Sequence, residues 1–209
     1  MREPAMRIYC RELMSGELLK DEDGELYAVT PLGAVLKRAF ITGILEEVAK
    51  KRDSSLFRIF DGLGAVTCIA DDPLLDEFEE GELAGVIGKP EKCGEEVILR
   101  AEEVFRIGGI ERKIWFLETS VNTLKRMKLK KELSDEWIEF RKEILALSSI
   151  ILEELVIAAV RELAENEISF EEILEKFRVD EELLKEALEK MLLNGEIYEP
   201  RPGIYRRVS

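Results

Sequence analysis

Arg58 and Phe60 stand two apart in the run Phe57-Arg-Ile-Phe60, and residues two apart on a strand point to the same side. With Phe57 and Ile59 facing a core, the other face carries a guanidinium beside an aromatic ring. A base can stack on such a ring while the cation holds a phosphate, which grips a single strand of nucleic acid without reading its sequence. Arg100 opposes the apolar face of Val97 and Leu99 in the same way, and Lys37 and Arg38 open the strand that precedes them. Trp115, in Lys113-Ile-Trp-Phe-Leu117, reads first as a packing residue and second as a further stacking platform. The plainer alternative for the set is a ring that packs and arginines that are merely solvated.

Catalytic chemistry finds little to work with. The chain has no histidine, which removes the commonest general base, the commonest metal ligand and the usual triads. Cys10, Cys68 and Cys93 are far apart and odd in number, so neither a zinc site nor a disulfide framework is expected, and a reducing cytoplasm fits them. Gly81 to Gly88 lacks the Gly-Lys-Ser/Thr ending of a phosphate loop. The carboxylates of Ala70-Asp-Asp-Pro-Leu-Leu-Asp-Glu-Phe-Glu-Glu80 read as the solvated face of a short helix, with Asp71 or Asp72 as cap and Pro73 in its first turn. No enzyme activity, catalytic residue, cofactor or metal is expected. No apolar run reaches the ~18 residues of a membrane span, and no signal-peptide core opens the chain.

The net charge of -14 over 209 residues opposes general binding to nucleic acid, since neutralising phosphates dominates such affinity. Either a local patch makes the contact or the chain works by binding proteins.

The elements that must position these residues read as an α+β chain of two domains. Arg38 to Val48, the two halves of Phe57 to Ile69, Leu83 to Pro90 and Glu96 to Ile107 form five short strands. The turn Asp61-Gly-Leu-Gly64 joins the second and third as a hairpin, and Gly43 allows a bend within the first. Five strands with a helix after the third describe a five-stranded oligonucleotide-binding (OB-fold) barrel. Residues 1–36 read as an arm packed on it, with an edge strand near Arg2 to Leu13, a loop over Lys20 to Gly24 and a strand at Leu26 to Val29.

Beyond the barrel, Leu124-Lys-Arg-Met-Lys-Leu-Lys-Lys131 is the clear positive cluster, either tracking a phosphate backbone or forming a solvated linker helix. An amphipathic helix begins at Ser134, with Trp137, Phe140, Ile144, Leu147 and Ile151 spaced three and four apart. That stripe is either intramolecular core or a seam for a partner. From Ile151 the pattern is helix to Ala164, a short strand at Ile168 and Phe170, helix Glu171 to Lys176, helix Glu181 to Leu193 closed by Asn194-Gly195, and two strands turned at Pro200 to Gly203. Three helices and a terminal hairpin describe a winged helix-turn-helix. Its second helix of the pair is acidic, with Glu181, Glu182, Glu186 and Glu189 against Lys185 and Lys190, which favours protein over duplex DNA as its partner. Tyr198, Tyr205 and Arg206 on the hairpin are the candidate partner-binding residues there. The domains read as 1–117 for the barrel and its arm, 118–150 for the linking helix, and 151–209 for the winged helix.

Three stretches carry a resemblance: Arg2-Glu-Pro-Ala-Met-Arg-Ile-Tyr9, Val29-Thr-Pro-Leu-Gly33, and Lys37-Arg-Ala-Phe-Ile-Thr-Gly-Ile-Leu-Glu-Glu47. They resemble the opening of archaeal proteins associated with replication protein A. The tail Gly195 to Arg207 resembles winged helices that end archaeal replication proteins. The resemblance implies a non-enzymatic subunit of a complex that binds single-stranded DNA, acting in replication, repair or recombination. It also implies sister replication protein A subunits as partners, and a winged helix that recruits primase, polymerase or helicase. A scaffold whose barrel has lost nucleic-acid contact, and a winged-helix transcription regulator, are the competing readings.

Overall fold

A computed structural model of the chain describes residues 3–50, 54–71 and 74–208. The N-terminal arm forms strand β1 (Met6–Arg7), helix α1 (Cys10–Met14), and strands β2 (Glu17–Lys20), β3 (Leu26–Val29) and β4 (Val35–Leu36). The barrel follows as β5 (Ala39–Lys50), β6 (Ser54–Phe60), β7 (Ala65–Asp71), β8 (Leu83–Cys93) and β9 (Glu96–Arg106). Then come helices α2 (Gly109–Leu129) and α3 (Asp135–Leu163), strand β10 (Ile168–Ser169), helices α4 (Phe170–Phe177) and α5 (Glu181–Leu193), and strands β11 (Ile197–Arg201) and β12 (Ile204–Arg207). The chain clusters into two compact units, residues 1–145 and 146–209.

The five barrel strands run in the order β5-β6-β7-β9-β8, and β8 pairs back to β5, so the sheet is closed and leaves no free edge within that ring. All neighbours are antiparallel except β7 and β9. Closure depends on one strand serving two partners. The first half of β5, Ala39 to Ile44, pairs with β8, and the second half, from Ile44 onward, pairs with β6. Gly43 sits at that change of partner, where a Cβ would lie 2.1 Å from the Phe60 carbonyl oxygen. The bend expected at this glycine is therefore a steric requirement of closure.

Alternation sorts the barrel as the pattern predicts. Phe57, Ile59, Val66, Cys68, Leu99 and Leu45 are buried inside. The arm caps one side of this core, with Ile8, Tyr9, Cys10 and Leu13 all inaccessible. Tyr9 shares its hydroxyl with Ser120 at 2.8 Å and donates to the Phe116 carbonyl at 3.1 Å. Its ring meets Trp115, Phe116 and Phe140 edge-on. Asp61, in the β6–β7 turn, accepts from the backbone N–H groups of Leu63 and Gly64, and from Cys10 at 2.6 Å, so the same carboxylate shapes the hairpin and anchors α1. Burial raises the Asp61 pKa, and these bonds oppose the rise.

The structure corrects several local expectations. No helix bridges β7 and β8 among the described residues: Leu74 to Glu77 form a turn whose bonds close over three residues, as in Phe78 N–H to the Leu75 carbonyl. β7 continues through Asp71 in register with Ser54 and takes the residues a helical first turn needs. Leu75 and Phe78 still bury their side chains. Asp72 and Pro73, the expected cap and first turn, lie outside the described residues, as does Arg2. Lys20 belongs to β2, paired with Leu26 of β3, and Cys10 to Met14 form α1 where strand alternation was expected to continue. The two helices expected to meet near Ile151 are one helix, α3, because no glycine or proline interrupts residues 135–163. α2 begins at Gly109, well before the basic cluster.

In the unit 146–209, β10, β12 and β11 form a three-stranded sheet beside α4 and α5. Ser169 and Glu172 make a reciprocal capping box at the start of α4, and the Asp180 carboxylate caps α5 through Glu182 and Leu183. Its core is built from Val156, Val160, Ile173, Leu184, Leu188 and Met191. No helix of the described residues is long and apolar enough to cross a membrane.

Candidate nucleic-acid interface

The outer face of β6, β7 and β9 brings Arg58, Phe60 and Arg100 onto one surface. Cross-strand register places Thr67 opposite Arg58 and Ala65 opposite Phe60. Ile69 lies between Leu56 on one side and Arg100 on the other. Leu56 is 43% exposed, and Arg58, Phe60, Thr67, Ile69 and Arg100 are half-buried. The patch thus alternates apolar and cationic groups, the composition that stacks bases and holds phosphates. Leu56, Thr67 and Ile69 were not singled out from sequence. Their signal was present, since they continue the period-2 alternation that selected Arg58 and Phe60.

Each predicted cation in the barrel already faces a carboxylate. Arg58 meets Glu47 at 3.0 Å, with 40% and 68% of the two side chains exposed. Arg100 meets Glu91 at 2.6 Å and Asp71 at 3.2 Å, and the Glu91 hydrogen bond leads the rise of its pKa. An exposed pair of this kind is worth about 0.2–1 kcal/mol, so a phosphate can replace Glu47 at Arg58 at small cost. This pairing explains how an acidic chain can carry arginines on a barrel face without showing a basic surface.

Lys37, Arg38 and Trp115 lie elsewhere. Lys37 turns to Asp21 at 2.8 Å and Glu3 at 3.7 Å, and its hydrogen bond to Asp21 lowers the pKa of that carboxyl. Arg38 binds Glu102 at 2.6 Å and the Glu3 carbonyl at 2.7 Å, and only 10% of its side chain is exposed. Its fork is spent on holding the arm to β9. Trp115 is 2% exposed and donates from Nε1 to the Phe40 carbonyl at 3.2 Å. It packs α2 on the barrel and presents no free ring face for a base.

The candidate partner stripe on α3 is core at its N-terminal end. Trp137 is 7% exposed, and Phe140 and Ile144 are inaccessible. Phe140 stacks edge-on against Tyr9 and Trp137, and the Arg11 guanidinium covers its ring at 4.7 Å. Leu147 is half-buried. These residues satisfy one another within the chain and leave little for a seam, a correction to the partner reading of the stripe. The positive cluster also loses a member. Arg126 makes a bidentate pair with Glu12, whereas Lys125, Lys128, Lys130 and Lys131 are exposed.

Sequence reasoning missed a second aromatic group. Phe40 and Phe105 have centroids 5.8 Å apart, and with Trp115, Ile114 and Arg7 they line a cleft of about 390 Å³ beside α2. A Cβ on Gly85 would fall 2.5 Å from the Phe105 ring, so the glycine lets that ring lie against β8. The strands were read for cationic alternation, and Phe40 and Phe105 lie near opposite ends of the sequence segment, which hid their meeting.

On the hairpin of the second unit, Tyr198 stands directly opposite Arg206, and Tyr205 opposite Ile168. Tyr198 is 42% exposed, Arg206 is exposed and Tyr205 is half-buried. Desolvation, then the charges of Glu199, Glu171 and Glu189, raise the Tyr205 pKa. On α5, Lys185 is tied to Glu181 and Lys190 to Glu153, so carboxylates dominate that surface.

No model of a known protein family matches the chain. An uncharacterised protein of Methanocaldococcus jannaschii is 28% identical over 211 residues, covering 99% of this chain and 88% of that protein. Among solved structures, a replication protein A heterotrimer bound to single-stranded DNA contains a chain matching with a TM-score of 0.50 and 14% identity, over 59% of this chain and 98% of that one. Yeast replication protein A bound to single-stranded DNA is similar with a TM-score of 0.44 and 15% identity, over 56% of this chain and 90% of that one. The likeness to the heterotrimer chain is one of fold: the closed five-stranded barrel has oligonucleotide-binding architecture.

Proposed function

We propose that this protein is a non-enzymatic subunit of a replication protein A-like complex that binds single-stranded DNA in the cytoplasm of an archaeal cell. The observation that carries the reading is the closed barrel, whose fold matches nearly the whole of a chain from a single-strand-bound replication protein A heterotrimer. Arg58, Phe60 and Arg100, with Leu56 and Ile69 between them, supply this subunit's share of the strand-binding surface. Its contact is weak alone, because Glu47, Glu91 and Asp71 already hold the arginines. Sister subunits provide the remainder of the groove. Residues 151–209 act as a winged helix with an acidic α5 that recruits replication or repair proteins, among them primase, polymerase or helicase, with Tyr198, Tyr205 and Arg206 at the contact.

A second reading has its own support. The same ion pairs fit a scaffold subunit whose barrel no longer touches DNA. The deciding experiment is binding of single-stranded and duplex oligonucleotides at two salt concentrations, for this chain alone and with co-purifying partners. Single-strand preference that appears with partners, falls as salt rises and weakens in Arg58→Ala and Phe60→Ala supports the first reading. Unchanged affinity of the assembly in both variants removes the barrel face from the site and leaves the scaffold.

A further inference from the structure

Helix α2 has two apolar faces, and its barrel covers one. Trp115, Phe116, Thr119, Thr123 and Met127 are buried. On the opposite side Ile110 is 63%, Ile114 47% and Val121 49% exposed, with half-buried Leu117 and Leu124 completing a spacing of four, three, four and three. A helix that served only its own barrel would turn polar residues to that side. A repeat alternating three and four is the seam of paired helices. The stripe also borders the cleft lined by Phe40, Phe105 and Trp115, so the uncovered apolar surface extends past the helix itself.

The charges beside the stripe identify the occupant. Glu111 and Glu118 flank its N-terminal part, and the exposed Lys125 and Lys128 flank its C-terminal part. A second copy laid parallel would set Glu111 against Glu111 and Lys125 against Lys125. Laid antiparallel, it sets Glu111 against Lys125 in both halves of the contact, and opposite ends of the two helix dipoles lie side by side. Glu118, near the two-fold axis, is already neutralised by Arg7 at 3.2 Å. The surface is self-complementary, as an isologous contact must be.

We infer that two copies of this chain associate through an antiparallel α2–α2 contact. Val121 packs against Leu117 of the second copy and Ile114 against its Leu124. The same register brings Leu129, 85% exposed in the single chain, opposite Gly109 at the edge of the cleft. The contact is short, so the dimer is concentration-dependent.

Sedimentation velocity of the full chain without nucleic acid, across roughly 1 to 200 µM, reads the equilibrium directly. The wild type is expected to pass from monomer to dimer in this range. Ile114→Glu and Val121→Glu should each weaken dimerisation at least tenfold, with circular dichroism and urea midpoint unchanged because both side chains are exposed in the monomer. Glu111→Lys and Lys125→Glu should each weaken it several-fold, and their combination should restore it. A monomer at every concentration, a dimer indifferent to Ile114→Glu and Val121→Glu, or a double charge reversal that fails to restore association overturns the proposal. Since no DNA is present, these outcomes are separate from those that test the strand-binding reading.

Discussion

Glu12 is completely buried, and Arg126 chelates it with two hydrogen bonds, Nε to Oε1 at 3.0 Å and Nη2 to Oε2 at 2.7 Å. The hydroxyls of Thr30 and Thr123 donate to the same carboxylate. One pair therefore joins α1, the Thr30 loop and α2, elements more than a hundred residues apart in sequence.

The two partners are not interchangeable with their absence. Arg126→Ala leaves a buried, uncompensated carboxylate and should cost about 3–5 kcal/mol. The combined Glu12→Gln and Arg126→Met variant removes the stranded charge while keeping the threonine hydrogen bonds, and should cost less than Arg126→Ala alone. Urea unfolding of the three proteins checks the order. Equal losses would mean the charge itself is not what the pair neutralises.

Asp61 makes stability depend on pH in a direction opposite to the usual surface carboxylate. Its folded pKa is raised above 3.8, so the folded state binds this proton more tightly than the unfolded chain. The stabilisation it links to protonation is present below the unfolded pKa and is lost as pH rises through the raised folded value. Asp61→Asn abolishes that slope, and it turns an amide donor toward Cys10 N–H, costing about 1–3 kcal/mol. Urea midpoints from acid to neutral pH for both proteins measure the two effects separately.

Glu47 restrains Arg58, and releasing it should favour nucleic acid. Glu47→Gln removes the charge that holds the guanidinium and is expected to tighten single-strand binding by the assembled complex about two- to fivefold, the inverse of an exposed pair's worth. Arg58→Ala should loosen it. Fluorescence anisotropy with a labelled oligonucleotide at low salt reads both, and no gain in Glu47→Gln would show that Arg58 does not reach the strand.

Two glycines differ in what opposes them. An alanine at position 43 meets the Phe60 backbone carbonyl, which cannot move without opening the β5–β6 ladder, whereas at position 85 it meets a partly exposed phenyl ring. Gly43→Ala should cost more than about 3 kcal/mol and Gly85→Ala about 1–3 kcal/mol. Thermal unfolding ranks them. In Gly85→Ala the displaced Phe105 should also change the near-ultraviolet signal of the neighbouring aromatic cluster.

What the sequence alone determined is what local chemistry controls. Alternation through Phe57 to Phe60 set inside from outside, Asp61-Gly-Leu-Gly64 set the hairpin, and Gly43 marked the bend. Asp180 and Asn194-Gly195 bounded α5, because caps and turns act over three or four residues. Tertiary structure decided everything that depends on which partner a side chain meets. Arg38, Arg58, Arg100 and Arg126 are equivalent as letters, yet Arg126 is sealed against Glu12, Arg38 is bound to the arm, and Arg58 and Arg100 remain within reach of solvent. The apolar stripes of α2 and α3 have the same period. Only the packing of Tyr9 against Phe140 made the start of α3 core, and left Ile110, Ile114 and Val121 uncovered. Periodicity shows that a face must be buried, and the fold chooses what buries it.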